Sequence, residues 1–242
     1  MQNSMTILRK EFRQYFDSPI GYIFITVFLV TASWLFFRTF FLVEEVTVRP
    51  MFLFIPWLFL FFVPAVTMRL WAEEKKAGTL EVLMTLPVRD WEVVAGKFGA
   101  SLLFLVLSLA LTFSIPLTAY LLAEKKDLVD WGPILTSYLG AVLLGAAFLA
   151  IGIWVSSLTE NQIVAFILGI AASFVLMILG ERIVTAFLPG LLAPWIEYLG
   201  LNKHFNSIAR GVIDSRDIVY YLSVIGLFLY LTVRSVESRK WR

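Results

Sequence analysis

Apolar residues run along this chain in long uncharged blocks, without the strict alternation of a half-buried strand. Stretches free of Asp, Glu, Lys and Arg cover 18–37, 50–68, 98–123, 131–159, 161–180 and 218–233. A helix needs about 20 mostly apolar residues to cross a bilayer, so the first five are long enough outright. The sixth block has 16 residues; at helical rise that is about 24 Å, which spans if Asp217 and Arg234 reach back to the two interfaces. A seventh block, 183–196, is too short to cross and is broken by Pro189, Gly190 and Pro194. It reads as a re-entrant or interfacial helical hairpin. The pattern therefore predicts an all-α polytopic membrane protein with one domain over 1–242 and spans at about 18–41, 50–70, 98–123, 133–157, 161–181 and 217–234. Before the first span, Met5, Leu8, Phe12 and Tyr15 or Phe16 recur at helical spacing, with Arg9, Lys10, Arg13 and Gln14 on other faces. That predicts an amphipathic helix in the headgroup plane. The first block is too long for the core of a signal peptide, and bulky Trp34, Phe36 and Phe37 stand where a cleavage site needs small residues.

Composition agrees with the pattern. Of the 242 residues 60% are hydrophobic and 16% charged, and Phe occurs 22 times, far from the quarter charged of an ordinary soluble domain. Without Cys there is no disulfide, thiol catalyst or Cys-ligated metal, and a single His, His204, excludes a multi-His zinc site. A net charge of +2 with no basic tail or groove gives nucleic acid no footing. With the N-terminus inside, the inner segments hold twelve of the 20 Lys and Arg residues. This bias places both termini in the cytoplasm and the chain in the inner membrane of the cell.

Within the spans the sequence offers little chemistry. No Asp, Glu, His or Lys falls inside them, which speaks against a proton-coupled carrier, and no catalytic constellation of a hydrolase is present. Arg38 near Glu44 and Glu45, and Glu181 beside Arg182, read as interfacial pairs or snorkelled ends. Pro56 and Pro64 predict bends in the second span, and the Gly and Ser residues of spans three to five predict close helix packing.

The segment 71–90 is different. Gly78 breaks a charged stretch, Thr79 is placed to cap a new short helix, and Pro87 ends it. On that helix Leu80, Leu83 and Met84 share an apolar ridge, with Glu81 off it. A short cytoplasmic helix held between two spans suits a groove on a partner protein. Clustered Glu73, Glu74 and Glu81 are ill placed against anionic lipid.

The run 74–87, Glu-Lys-Lys-Ala-Gly-Thr-Leu-Glu-Val-Leu-Met-Thr-Leu-Pro, resembles the coupling-helix signature of ABC-2 type transporter permeases. The resemblance extends over nearly the whole chain, and the segment 204–217 further resembles the GldF-like, gliding-motility-type branch. It implies the permease subunit of an ATP-driven exporter, with a coupling helix at about 78–87. The implied partners are two copies of a cytoplasmic ABC ATPase, a second permease copy or homologue, a protein with a large extracytoplasmic domain, and the lipid bilayer. It also implies that Glu73, Glu74, Gly78, Thr79, Leu80, Glu81, Leu83, Met84 and Pro87 form the ATPase-binding surface. The chain has no Gly-x-x-x-x-Gly-Lys-Ser/Thr loop, so ATP and Mg belong to the partner and this chain carries no cofactor or catalytic role of its own. Two rival readings share parts of the pattern: a mechanotransmission subunit that moves no substrate, and a lipid-modifying membrane enzyme, for which clustered polar groups are lacking.

Overall fold

The computed structural model describes residues 2–43, 48–80, 88–122, 130–187 and 189–238. The structure is 85% helical, without strands among the described residues. In chain order the helices are α1 (Gln2–Asp17), α2 (Pro19–Val43), α3 (Arg49–Thr67), α4 (Arg69–Lys76), α5 (Asp90–Leu111), α6 (Ser114–Leu122), α7 (Trp131–Leu158), α8 (Gln162–Ile178), α9 (Arg182–Thr185), α10 (Ala193–Tyr198), α11 (Leu201–Ile208) and α12 (Ser215–Glu237). Among the described residues five segments are long and apolar enough to cross a membrane: Pro19–Arg38, Arg49–Lys76, Asp90–Leu122, Trp131–Leu158 and Ser215–Glu237. The apolar α8 is shorter, at 17 residues.

α7 is the hub. It packs against α3, α5, α8, α11 and α12, and its run 146–151 is buried throughout. Glycine makes this possible, because a methyl group at Gly145 would lie 2.7 Å from Leu105 on α5, and one at Gly152 would lie 2.2 Å from the Thr67 hydroxyl on α3. Where lipid supplies no hydrophobic drive between helices, such close approach is what binds them. α2 and α12 lie at the periphery and bury few of their side chains fully.

Some boundaries differ from the sequence pattern. The third span begins eight residues early, at Asp90, where Glu92 Oε2 reaches back to accept from the Arg89 backbone N–H at 3.2 Å and satisfies the helix start. It breaks after Leu111, and the Thr112 hydroxyl bonds the Leu109 carbonyl at the break. The second segment runs unbroken through Pro56 and Pro64 and is interrupted only at Met68. In the 183–196 stretch two short helices, α9 and α10, flank the Pro-Gly break, and neither has a buried residue. α1 packs along α5 through Ile7, Leu8, Glu11 and Tyr15, with Gly96 and Gly99 of α5 receiving Ile7 and Leu8. Met5, read as part of its apolar face, is exposed.

Candidate functional site

The helix ends that meet beside α1 form a polar junction. α4 is the strut from the second span to the 78–87 segment, and it buries Leu70, Trp71 and Ala72. Its first turn has backbone N–H groups with no partner inside the helix. Ser156 of α7 satisfies two of them: its Oγ accepts from Trp71 N at 3.2 Å and Ala72 N at 3.3 Å, and donates to the Met68 carbonyl at 3.0 Å. The break at Met68 is thus repaired by the hub helix. One residue on, the Ser157 carbonyl accepts from Lys75 Nζ of α4 and from Ser235 Oγ of α12.

A buried ion triad ties α1 into the same assembly. Lys97 of α5 is 1% exposed, and its Nζ lies 3.0 Å from Glu11 Oε1 and 2.7 Å from Glu74 Oε1, with the Trp71 ring 5.1 Å away. Two carboxylates against one ammonium leave an excess negative charge. Glu74 Oε2, buried as well, has no hydrogen-bond partner among the described residues. Above the triad, buried Tyr15 donates to Ser101 Oγ at 3.2 Å, and Ser101 in turn donates to the Lys97 carbonyl at 2.9 Å. The Arg69 guanidinium sits 4.4 Å over the Tyr15 ring. Desolvation pushes the Tyr15 hydroxyl up to about 12, so it remains a donor.

Beside the triad opens a cleft of about 590 Å³ between α1 and α4, lined by Lys10, Glu11, Gln14, Asp17, Arg69, Glu73, Glu74, Thr79 and Lys97. Of the residues that the resemblance assigned to partner binding, Glu73, Glu74 and Thr79 line this cleft. Gly78 ends α4 with φ of 68°, a left-handed conformation that glycine takes without strain. Thr79 Oγ1 donates back to the Glu74 carbonyl at 3.3 Å. Leu80 is buried in the chain's own core. Glu81, Leu83, Met84 and Pro87 lie outside the described residues.

The sequence reading that the membrane segments lack buried Asp, Glu, His and Lys does not hold. Glu92, Lys97, His204 and Asp217 are all buried in or beside them, and Glu11 is buried in α1. Lys97 lies one residue before an apolar block, where the charge pattern reads it as one of the twelve inner cations. Its flanking Gly96 and Gly99 were the available signal, since small residues at that spacing mark a helix face that another helix covers. Glu181 bonds Asn202 Nδ2 at 2.5 Å, and Arg38 lies 5.6 Å over the Trp34 ring.

With this geometry in view, a comparison with known families is decisive. The model of the ABC-2 family transporter protein matches residues 36–209. This chain belongs to the ABC-2 transporter family. It is a multi-pass membrane protein, the permease component of an ABC transporter, and a permease of this family works with an ABC ATPase carried on a separate subunit. No curated protein matches the chain. The matched residues hold Glu74, Lys97 and Ser156 of the permease junction, while α1 with Glu11 and Tyr15 precedes them.

Proposed function

We propose that this permease receives its ATPase on the cleft between α1 and α4 together with the 78–87 segment, and that ATP-driven closure there powers export across the inner membrane. One observation carries the reading. Lys97 ties α1 to α4, and Ser156 and Ser157 tie α4 to α7, so a push at the cleft reaches the central helix without crossing a loop. On this reading Glu73, Glu74, Gly78, Thr79, Glu81, Leu83, Met84 and Pro87 face or shape the docking surface, and Leu80 anchors the segment from inside. The excess carboxylate charge favours a basic groove on the ATPase. ATP and Mg stay with that subunit, present in two copies. The Lys and Arg distribution supports cytoplasmic termini, and a second permease copy or homologue completes the membrane part. The segment 204–217 supports the GldF-like branch, with a protein bearing a large extracytoplasmic domain against the outer segment 181–216.

Purification from the native host in mild detergent tests this. An ATP-hydrolysing subunit should accompany the chain, Leu83→Ala should lower the yield of complex, and Glu81→Lys should leave complex whose hydrolysis is poorly linked to transport. Recovery of the intact chain alone, repeatedly, overturns the docking reading. Vesicles in which the complex cycles ATP and moves no cargo overturn export in favour of mechanotransmission.

A further inference from the structure

At the end of the bundle remote from α1, the only histidine of the chain is buried in a cluster that the junction does not use. His204 Nδ1 lies 2.6 Å from Asp217 Oδ1, and Nε2 lies 2.8 Å from the Tyr198 carbonyl oxygen. The Tyr220 ring stacks on the imidazole at 3.9 Å, and Tyr198 and Tyr221 meet it edge-on at 5.0 and 6.3 Å. A carbonyl oxygen only accepts, so Nε2 carries a hydrogen. At 2.6 Å the Nδ1 to Oδ1 contact needs a hydrogen as well, because an imidazole lone pair facing a carboxylate is repulsive. Neutral histidine opposite ionised aspartate has one hydrogen for these two contacts. Both contacts are made together only when the pair carries one more proton than that.

Among the described residues no other charged side chain is bonded to the pair. Asp217 Oδ2 is buried with no partner among the described residues. α12 contributes Asp217, Tyr220 and Tyr221, and the two phenols donate to the Leu199 and Leu201 carbonyls. Around α11, Lys203 pairs with Glu197 at 3.0 Å, Asn202 bonds Glu181, and Arg210 Nε donates to the Asn206 carbonyl. Asp214 caps α12 by accepting from Arg216 N. The other helices packed on α11, α7 and α8, carry no Asp, Glu, Lys, Arg or His, and the Tyr138 hydroxyl of α7 is shared with Thr112.

We propose that His204 and Asp217 form a proton-dependent clip, which fastens the α10–α11 link to the start of α12 while the shared proton is present and releases it when that proton is lost. The three side chains His204, Tyr220 and Tyr221 all bond carbonyls of one short stretch, at 198, 199 and 201. Burial adds little further hold on the hairpin before that stretch, since Ile183, Phe187, Leu191 and Trp195 are each more than 70% exposed. With one hydrogen left the ring keeps it on Nδ1 toward the Asp217 carboxylate, so Nε2 gives up its bond to the Tyr198 carbonyl, one of the three that hold this segment.

The single histidine makes the test direct. In the intact chain in lipid nanodiscs with its copurifying subunits, nitrogen-15 histidine spectra read the two ring nitrogens of His204 alone, and amide hydrogen exchange reads residues 193–202. The expected result is a state with protons on both contacts and, across the pH range where the spectrum shows its loss, exchange at 193–202 that quickens about tenfold beyond the intrinsic pH effect, the worth of one charge-assisted hydrogen bond. In Asp217→Asn the amide itself donates to Nδ1 of a neutral ring, so exchange should stay slow throughout and lose that pH step, while peptides from α5 stay unchanged. A wild-type ring that never shares a proton with Asp217, or exchange at 193–202 that follows only the intrinsic pH dependence, overturns the proposal whether or not the variant folds.

Discussion

Lys97 brings one positive charge to a place that two carboxylates occupy, and the arithmetic of that triad sets how its members respond to change. Replacing Lys97 with Met strands Glu11 and Glu74 as buried like charges, and breaking a buried pair in this way costs about 3–5 kcal/mol. Replacing Glu11 with Gln removes the surplus charge and keeps a hydrogen-bonding group, so the loss should be about 1–2 kcal/mol. Thermal unfolding in nanodiscs should therefore rank Lys97→Met well below Glu11→Gln, and the reverse order would show that the ammonium is not the keystone. Tyr15→Phe forfeits one buried hydrogen bond, about 1 kcal/mol, and leaves Ser101 bonded to the Lys97 carbonyl. Because burial lifts the Tyr15 hydroxyl from 10.0 to about 12, its contribution is complete below pH 10 and falls away as pH rises toward 12. Tyr15→Phe should accordingly flatten part of the alkaline loss of stability. None of these partners was legible in the sequence: Lys97 lies 86 residues from Glu11 and 23 from Glu74. Local periodicity carries no information over such separations, whereas the break at Gly78 was legible because turn chemistry is local.

At the scale of the element, the close contacts of α7 give sharp expectations. Gly152→Ala forces a methyl group against Thr67, which cannot turn away because its hydroxyl also bonds the Val63 carbonyl at 3.1 Å. Overpacking of this kind costs about 1–3 kcal/mol. The double variant with Thr67→Ala should recover much of it, and additive losses would mean the two helices do not meet there. Ser156→Ala removes the group that closes the break at Met68 and should loosen α4 more than α3, visible as faster amide exchange at 69–72. Apolar blocks show where helices exist, which is why all six were legible. They do not show where helices break or begin in charged sequence, so the Asp90 start and the interruptions at Met68 and Thr112 were missed.

For the whole molecule, the alternation of near and far helix ends is itself testable. Asn161, at the start of α8, stands at the end that carries Ser157 and α4, while Lys203 on α11 stands at the other. In this Cys-free chain, single cysteines at the two positions should be labelled by an impermeant reagent from opposite sides of the membrane. Labelling of both from one side would mean that α8, at 17 residues, does not cross.

The central place of α7 also has a meaning in time. A ribosome delivers α3 and α5 to the bilayer before it makes the helix they share, so the nascent chain waits with its inward faces covered only by lipid. Nascent chains arrested before Leu158 should be recognised by membrane quality control and degraded, and survival should require extension through α12, which also packs on α7. Birth order, as much as final packing, decides when this protein becomes itself.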